Sequence, residues 1–132
     1  MRIMGYFLRG IKMATLSKQG NELFRFFSVN KRGLISIRDN GTVLRRTPWS
    51  SGWKVYARKK PEVSLESWKE SHRVRYEKLA QWKKEVKSLP SFETLQEWEH
   101  DGICETPTGE RVEPDGIGSD GVPSWLRVLS II

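Results

Sequence analysis

The sequence predicts an α+β fold with an N-terminal three- to four-stranded antiparallel sheet, a long amphipathic helix, a short helix and a turn-rich C-terminal tail. Three observations support this prediction: alternating apolar runs over residues 22–60, apolar residues at intervals of three and four over residues 64–100, and frequent Gly, Pro and Asp over residues 101–132. A chain of 132 residues is long enough for one domain and too short for two ordinary ones. We therefore assign residues 22–132 to a single domain made of a basic sheet, helices and an acidic tail.

Residues 1–21 are predicted to be an N-terminal extension of that domain. Their apolar stretch is interrupted by Arg9, and no small-residue cleavage site follows it, so a secretory signal is not indicated. Because Met13 offers a second start of translation, we expect the first 12 residues to be dispensable.

The sheet is predicted from alternation between apolar and polar positions, which is typical of half-buried strands. Asn40-Gly41 is the strongest hairpin signal, because this pair accepts the positive φ of a tight turn. Beta-branched and aromatic residues are frequent in these runs, as they are in strands generally. The predicted strands are Leu23–Val29, Leu34–Arg38, Thr42–Arg46 and Trp53–Lys59, the last of which is a fourth strand or an edge.

Alternation along a strand also predicts which side chains share a face of the sheet. Ile35, Ile37 and Leu44 are expected on one face. Leu34, Ser36 and Arg38 are expected on the other.

Ser64 is predicted to cap a long helix, with Glu66 placed well for the positive end of the helix dipole. A shorter helix is expected to begin at Pro90-Ser91 and to end near Asp101-Gly102. The long helix is expected to reach about Ser88, because its apolar residues form one stripe: Leu65, Trp68, His72, Tyr76, Leu79, Trp82 or Lys83, and Val86.

The tail is rich in turn residues but contains two predicted elements. Ile103–Thr106 and Glu110–Glu113 are expected to pair as a small hairpin. Ser124 is expected to cap a last apolar turn, which is too apolar to remain in solvent and should dock on the core.

Charge is distributed unevenly along the chain. The formal charges are +12 over residues 1–60, +2 over residues 61–90 and −7 over residues 91–132, which sum to the net charge of +7. This polarity predicts a half that faces a polyanion and an acidic half with another role. The alternative is that the two halves neutralise each other across the fold.

The basic sheet is the predicted binding site, and DNA or RNA is the predicted partner. Phosphate binding requires cations at intervals along a surface, and exposed aromatic side chains can stack on bases of a single strand. The alternative is that the aromatic residues form the core and that the Lys and Arg side chains are merely solvated. The predicted site residues are Lys31, Arg32, Arg38, Arg45, Arg46, Trp53, Arg58, Lys59 and Lys60.

Enzymatic chemistry is not indicated, and no cofactor or metal is predicted. Gly116–Gly121 spells G-x-G-x-x-G but lacks the flanking strand and helix of a dinucleotide site, so we interpret it as a turn cluster. His72 is interpreted as a packed side chain and Cys104 as a small buried residue. A metal-dependent nuclease is a third hypothesis, which is based only on the carboxylates of the tail: Glu105, Glu110, Glu113 and Asp115.

A protein-interaction factor is the alternative function, acting through the acidic tail and the amphipathic helix. The tail could dock another protein, or could mimic nucleic acid and cover the basic face. The simpler interpretation is that turns are rich in Asp and Glu for conformational reasons.

Four C-terminal segments carry a resemblance to known sequences: 85–91, 101–109, 111–116 and 121–126. Together they resemble small uncharacterised proteins of bacteriophages and prophages, a likeness that covers roughly the last 50 residues. The resemblance implies a phage or prophage setting and the host cytoplasm, so that a docked partner would be a host or phage protein, and it assigns no activity or site residue. A cytoplasmic location also fits a single cysteine and the absence of an apolar run of ~20 residues.

Overall fold

The computed structural model describes residues 19–132, and it confirms the α+β fold class. Residues 1–12, which are predicted to be dispensable, lie outside the described part of the chain. The main sheet is antiparallel with strand order β1-β2-β3-β4, and a two-stranded sheet follows in the tail. Its strands are β1 (Glu22–Ser28), β2 (Gly33–Arg38), β3 (Thr42–Arg46) and β4 (Lys54–Arg58); the tail strands are β5 (Cys104–Glu105) and β6 (Arg111–Val112). The helices are α1 (Leu65–Glu77), α2 (Gln81–Glu85), α3 (Phe92–Asp101) and α4 (Trp125–Val128).

The four predicted strands and the Asn40-Gly41 hairpin are confirmed. Gly41 has φ +88°, and the side-chain oxygen of Asn40 accepts a hydrogen bond from the Thr42 amide at 3.2 Å. These local interactions set the register in which Ile37 faces Val43 across the hairpin.

Both faces of the sheet are covered, which explains why every residue of β2 is buried. On the α1 face, Ile35, Ile37 and Val43 form a cluster with Phe24, Phe26 and Trp68. On the opposite face, Phe27 and Leu34 join the larger core, which also contains Leu95, Cys104, Trp125, Leu126 and Leu129. The prediction for Leu44 is wrong: it pairs with Ser36 and therefore lies on the opposite face, because directly opposed residues of a pair share a face.

The prediction of one helix from Ser64 to about Ser88 is also wrong beyond Glu77. Ser64 is the N-cap and accepts from the Ser67 amide at 3.2 Å, but α1 ends at Glu77 and α2 begins only at Gln81. The interruption has a packing reason. Trp68 of α1 contacts the α1 face, whereas the Trp82 ring of α2 lies 5.8 Å from the Phe27 ring on the opposite face. A straight helix cannot reach both faces, so the chain turns around the β1 edge.

The remaining predicted elements are confirmed. Ser91 caps α3, and Gly102 ends it with φ +72°. Cys104 pairs with Val112 in the small hairpin. Ser124 accepts from the Arg127 amide at 3.2 Å and caps α4, whose apolar residues are buried in the larger core. Within the described residues, no helix has both the length and the apolar character needed to cross a membrane.

Candidate nucleic-acid interface

Four cations lie on the α1 side of the sheet or on α1 itself, and two of them lie against the ring of Tyr56. The Lys31 ammonium lies 5.9 Å from the Tyr56 ring centroid, and the Arg45 guanidinium carbon lies 5.8 Å from it. Lys54 is directly opposite Arg45 across the β3–β4 pair and so shares its face. Arg75 of α1 lines the same groove as Lys31 and Tyr56. We call Lys31, Arg45, Lys54 and Arg75 the cationic row.

A bulge in β4 places Tyr56 in this position. Val43 pairs with Ala57, while the next residue, Leu44, pairs with Val55, so Tyr56 is an extra residue in the strand. A bulge interrupts the strict alternation of side chains, and here both Tyr56 and Ala57 border the groove beside α1. The Tyr56 side chain remains half exposed, at 50%.

A groove of about 360 Å³ lies between α1 and the sheet. Its cationic side chains include Lys31 and Arg75, and none of the carboxylates among residues 19–132 lines it. Its apolar floor is Ile35, Ile37 and Val43, the buried cluster of the α1 face. The ring-bearing side chains that line the groove are Phe26, Tyr56, Trp68, His72 and Tyr76.

Several predicted site residues are fixed elsewhere in the structure. Arg32 donates to the Leu129 carbonyl at 2.8 Å and lies 4.7 Å from the Trp49 ring, so it ties the first turn to the end of the chain. Lys59 donates to the Val63 carbonyl at 2.7 Å in the loop before α1. Arg38 is buried and does not lie with the exposed cations.

Arg38 holds together the beginning of the described chain. Its guanidinium donates to the Gly20 carbonyl and to the Ser36 hydroxyl, and it lies 3.8 Å from the Glu22 carboxylate. The Asn21 amide donates to Asp39 at 2.9 Å. The last residues of the predicted extension are therefore bonded to the end of β2.

The other predicted residues are spread around the sheet. Arg46 pairs with Leu34, which places it exposed on the opposite face. Trp53 packs against the larger core, and the Arg25 guanidinium lies 5.2 Å from its ring. Arg58 borders the groove, but its Nη1 lies 3.5 Å from the Thr42 hydroxyl oxygen. Lys60 is exposed in the loop after β4.

Lys54 and Arg75 are the members of the cationic row that the predicted site omitted. Lys54 could have been found from the strand register, which requires locating the bulge. Arg75 follows His72 by three residues and immediately precedes Tyr76, a spacing that places it beside the apolar stripe of the helix.

The cationic row is not neutralised by the described residues. The ion pairs among residues 19–132 involve Arg25, Arg38, Lys69 and Arg73, and no member of the row. On the outer side of α1, Arg73 bridges Glu70 and Glu77, and its hydrogen bond holds the pKa of Glu70 below its usual value. Within the described residues, no acid of the tail pairs with a base of the sheet, so direct contact does not neutralise the two halves.

His72 is half-buried in the groove and packs edge-on against Trp68, with the two ring centroids 4.5 Å apart. Burial lowers the pKa of His72 below its ordinary value, and the positive charges of Arg75 and Lys31 lower it further. His72 is therefore neutral at pH 7, and the imidazole offers one hydrogen-bond donor and one acceptor to the groove.

The lowered pKa of His72 predicts a pH dependence of stability. The unfolded chain binds a proton at its ordinary pKa of 6.5 and the folded chain only at lower pH. The free energy of unfolding should therefore fall as the pH is lowered from about 7.5 to about 5.5. Urea unfolding across this range should show a smaller fall for His72→Gln than for the wild type. His100→Gln, which removes an exposed histidine from α3, is the control; equal slopes in the wild type and His72→Gln would contradict the prediction.

Of the four carboxylates that the nuclease hypothesis names, Glu110 accepts hydrogen bonds within the turns of the tail. Asp120, which that hypothesis does not name, accepts hydrogen bonds there as well. Glu110 accepts from the Ser119 amide at 2.8 Å and Asp120 from the Thr108 hydroxyl at 2.7 Å; this bond, with one from the Val122 amide, lowers the pKa of Asp120. Gly116–Gly121 is a turn, closed by a bond from the Gly118 amide to the Val122 carbonyl at 2.8 Å. Among residues 19–132, no group of three or more His, Cys, Asp and Glu side chains is arranged to hold a metal ion.

No protein-family model matches the chain, and neither a curated protein nor a solved structure is significantly similar to it. The site is therefore interpreted from its own geometry and charge.

Proposed function

We propose that the protein is a non-enzymatic nucleic-acid-binding accessory protein that contacts phosphates through the cationic row. The observation that carries this proposal is the position of the row: two unneutralised cations lie against an exposed tyrosine, and the other two lie on the same face of the sheet or on α1. Beside them is a groove that no carboxylate of residues 19–132 lines. Phosphates at intervals along a strand would replace the missing anions and release counterions.

The proposed interface is narrower than the predicted one. Lys31 and Arg45 are retained, and Lys54 and Arg75 are added. Arg45 also donates from Nε to the Lys31 carbonyl at 2.7 Å, which holds the first turn against β3 and leaves the outer edge of its guanidinium for a ligand. Arg32, Arg38 and Lys59 are assigned to the fold, because each donates to backbone carbonyls and, unlike Arg45, none of them lies against the Tyr56 ring.

The test is a titration with fluorescent single-stranded DNA, duplex DNA and RNA at two salt concentrations, with magnesium present. Binding that weakens steeply with salt supports the proposal. Absence of binding to all three probes at low salt would overturn the proposal, and cleavage of a probe would favour the nuclease hypothesis.

Two arginine variants identify the face that binds. Arg75→Gln should weaken binding by roughly five- to tenfold, equivalent to about 1 kcal/mol for one phosphate contact. Arg46→Gln removes the same charge from an exposed position on the opposite face and should change the affinity by less than about twofold. A larger loss for Arg46→Gln than for Arg75→Gln would assign binding to the opposite face.

A protein partner is the alternative, and one feature favours it. Trp49 and Phe92 are 43% and 48% exposed, and both line a hollow of about 330 Å³ together with Ile131. Arg32 and Glu99 line the same hollow. Exposed apolar side chains grouped in this way are typical of a protein-docking surface, and the burial of Trp49 and Phe92 by a partner would depend little on salt.

We also propose a phage or prophage setting and the host cytoplasm, which the resemblance of the C-terminal segments supports.

A further inference from the structure

We infer that the groove between α1 and the sheet accepts one unstacked base of a single-stranded nucleic acid, while Lys31 and Arg75 hold the flanking phosphates. This inference rests on the proposed function and adds to it the form of the nucleic acid and the position of one nucleotide. The cationic row alone would bind any phosphate backbone, whereas an occupied groove requires a base outside the stack.

The size and lining of the groove suit a planar aromatic group. Its volume of about 360 Å³ is at the lower end of the range for small-molecule sites. Its floor is apolar and its walls carry aromatic rings, of which Tyr56 is half exposed and Tyr76 is stacked on Phe24 at 4.8 Å between centroids. A base has two apolar faces, so both the floor and the rings can contact it without leaving a polar group unpaired.

The polar groups of the groove are arranged for the edge and the backbone of a nucleotide. Neutral His72 offers a donor and an acceptor, and Ser28 contributes a hydroxyl to the lining. Lys31, His72 and Arg75 all line this groove, and the charges of the two cations lower the pKa of His72. Phosphates on either side of an inserted base would lie within reach of these two cations.

The charge of the groove selects its occupant. An apolar peptide would leave Lys31 and Arg75 unpaired, and a cationic segment would be repelled by them. A duplex presents phosphates but keeps its bases stacked, so it would occupy the cationic row and leave the groove empty. A single strand satisfies both parts of the site.

The test fills the groove without changing its charge. Ala57 borders the groove on the exposed strand β4, so Ala57→Leu adds bulk there with little risk to the fold. The probes are an oligothymidine, an abasic strand with the same number of phosphates, and a duplex. The control is Val55→Leu, which adds a methylene on the same strand at a position paired with Leu44, on the opposite face.

The wild type should bind the oligothymidine at least about tenfold more tightly than the abasic strand. In Ala57→Leu this preference should fall to within about twofold, while duplex affinity and its salt dependence stay within about twofold of the wild type. Val55→Leu should retain the full preference.

The outcomes separate this inference from the proposed function. Equal binding of the oligothymidine and the abasic strand by the wild type would overturn the inference, because the site would then recognise phosphates alone. A preference that persists in Ala57→Leu would overturn it as well, by placing the base outside the groove. In both cases the proposed function stands, whereas absence of binding to any probe removes both.

Discussion

Phe27→Ala is expected to lower the free energy of unfolding by about 3–5 kcal/mol. Phe27 is fully buried, and its ring lies edge-on to Trp125 at 5.3 Å and tilted to Trp82 at 5.8 Å between centroids. It therefore joins three parts of the chain: the first strand, the helix after the turn around β1, and the docked C-terminus. Its loss leaves a cavity that these three elements cannot close together. Chemical denaturation followed by far-UV circular dichroism measures the change.

Phe92→Ala is the matched control for this prediction. Phe92 is 48% exposed at the start of α3, so the same truncation should cost less than about 1 kcal/mol. Because domains are often stable by only about 5–15 kcal/mol, Phe27→Ala could fail to fold. Phe27→Leu, which retains most of the volume, should then show a smaller loss in the same direction. Equal midpoints for Phe27→Ala and Phe92→Ala would contradict the assignment of Phe27 to the shared core.

The elements that the sequence predicted correctly depend on neighbouring residues. Asn40-Gly41 forms its turn because of its own φ preference, and Ser64 and Ser91 cap helices through amides three residues away. The end of α1 depends on distant residues instead. The apolar stripe of the helix continues past Tyr76 with helical spacing. Trp82, however, packs against Phe27 on the other face of the sheet, and that contact requires a turn in the chain. The spacing of apolar residues along the helix therefore cannot predict where α1 ends.

The sequence predicts the residues of the candidate site only in part, because their positions also depend on contacts between distant residues. Residue type identified a basic sheet, but it could not distinguish a cation that faces solvent from one that donates to a carbonyl 97 residues away, as Arg32 does to Leu129. Nor could it place Tyr56, whose position depends on a bulge that shifts the β3–β4 register by one residue. Arg75 was omitted because it lies on a helix, outside the run of basic strands.

The combined variant Lys31→Gln, Lys54→Gln and Arg75→Gln is expected to weaken single-strand binding on the order of a hundredfold at low salt, from about 1 kcal/mol per contact. Its most specific effect should be on salt dependence. Each phosphate contact to a single strand contributes about 0.7 to the slope of log affinity against log salt, so the loss of three should reduce that slope by about 2. Arg45 is left intact because its bond to the Lys31 carbonyl supports the first turn.

The matched control removes three positive charges from outside the groove: Arg46→Gln, Lys87→Gln and Arg111→Gln. Both variants have the same net charge, so a general attraction between a basic protein and a polyanion would weaken equally in the two. A local interface predicts a difference instead: the control should keep most of its affinity and nearly the wild-type slope. Circular dichroism and urea midpoints check that both variants remain folded. Equal slopes in the two variants would mean that net charge governs binding, and the cationic row would lose its assignment as the phosphate-binding surface.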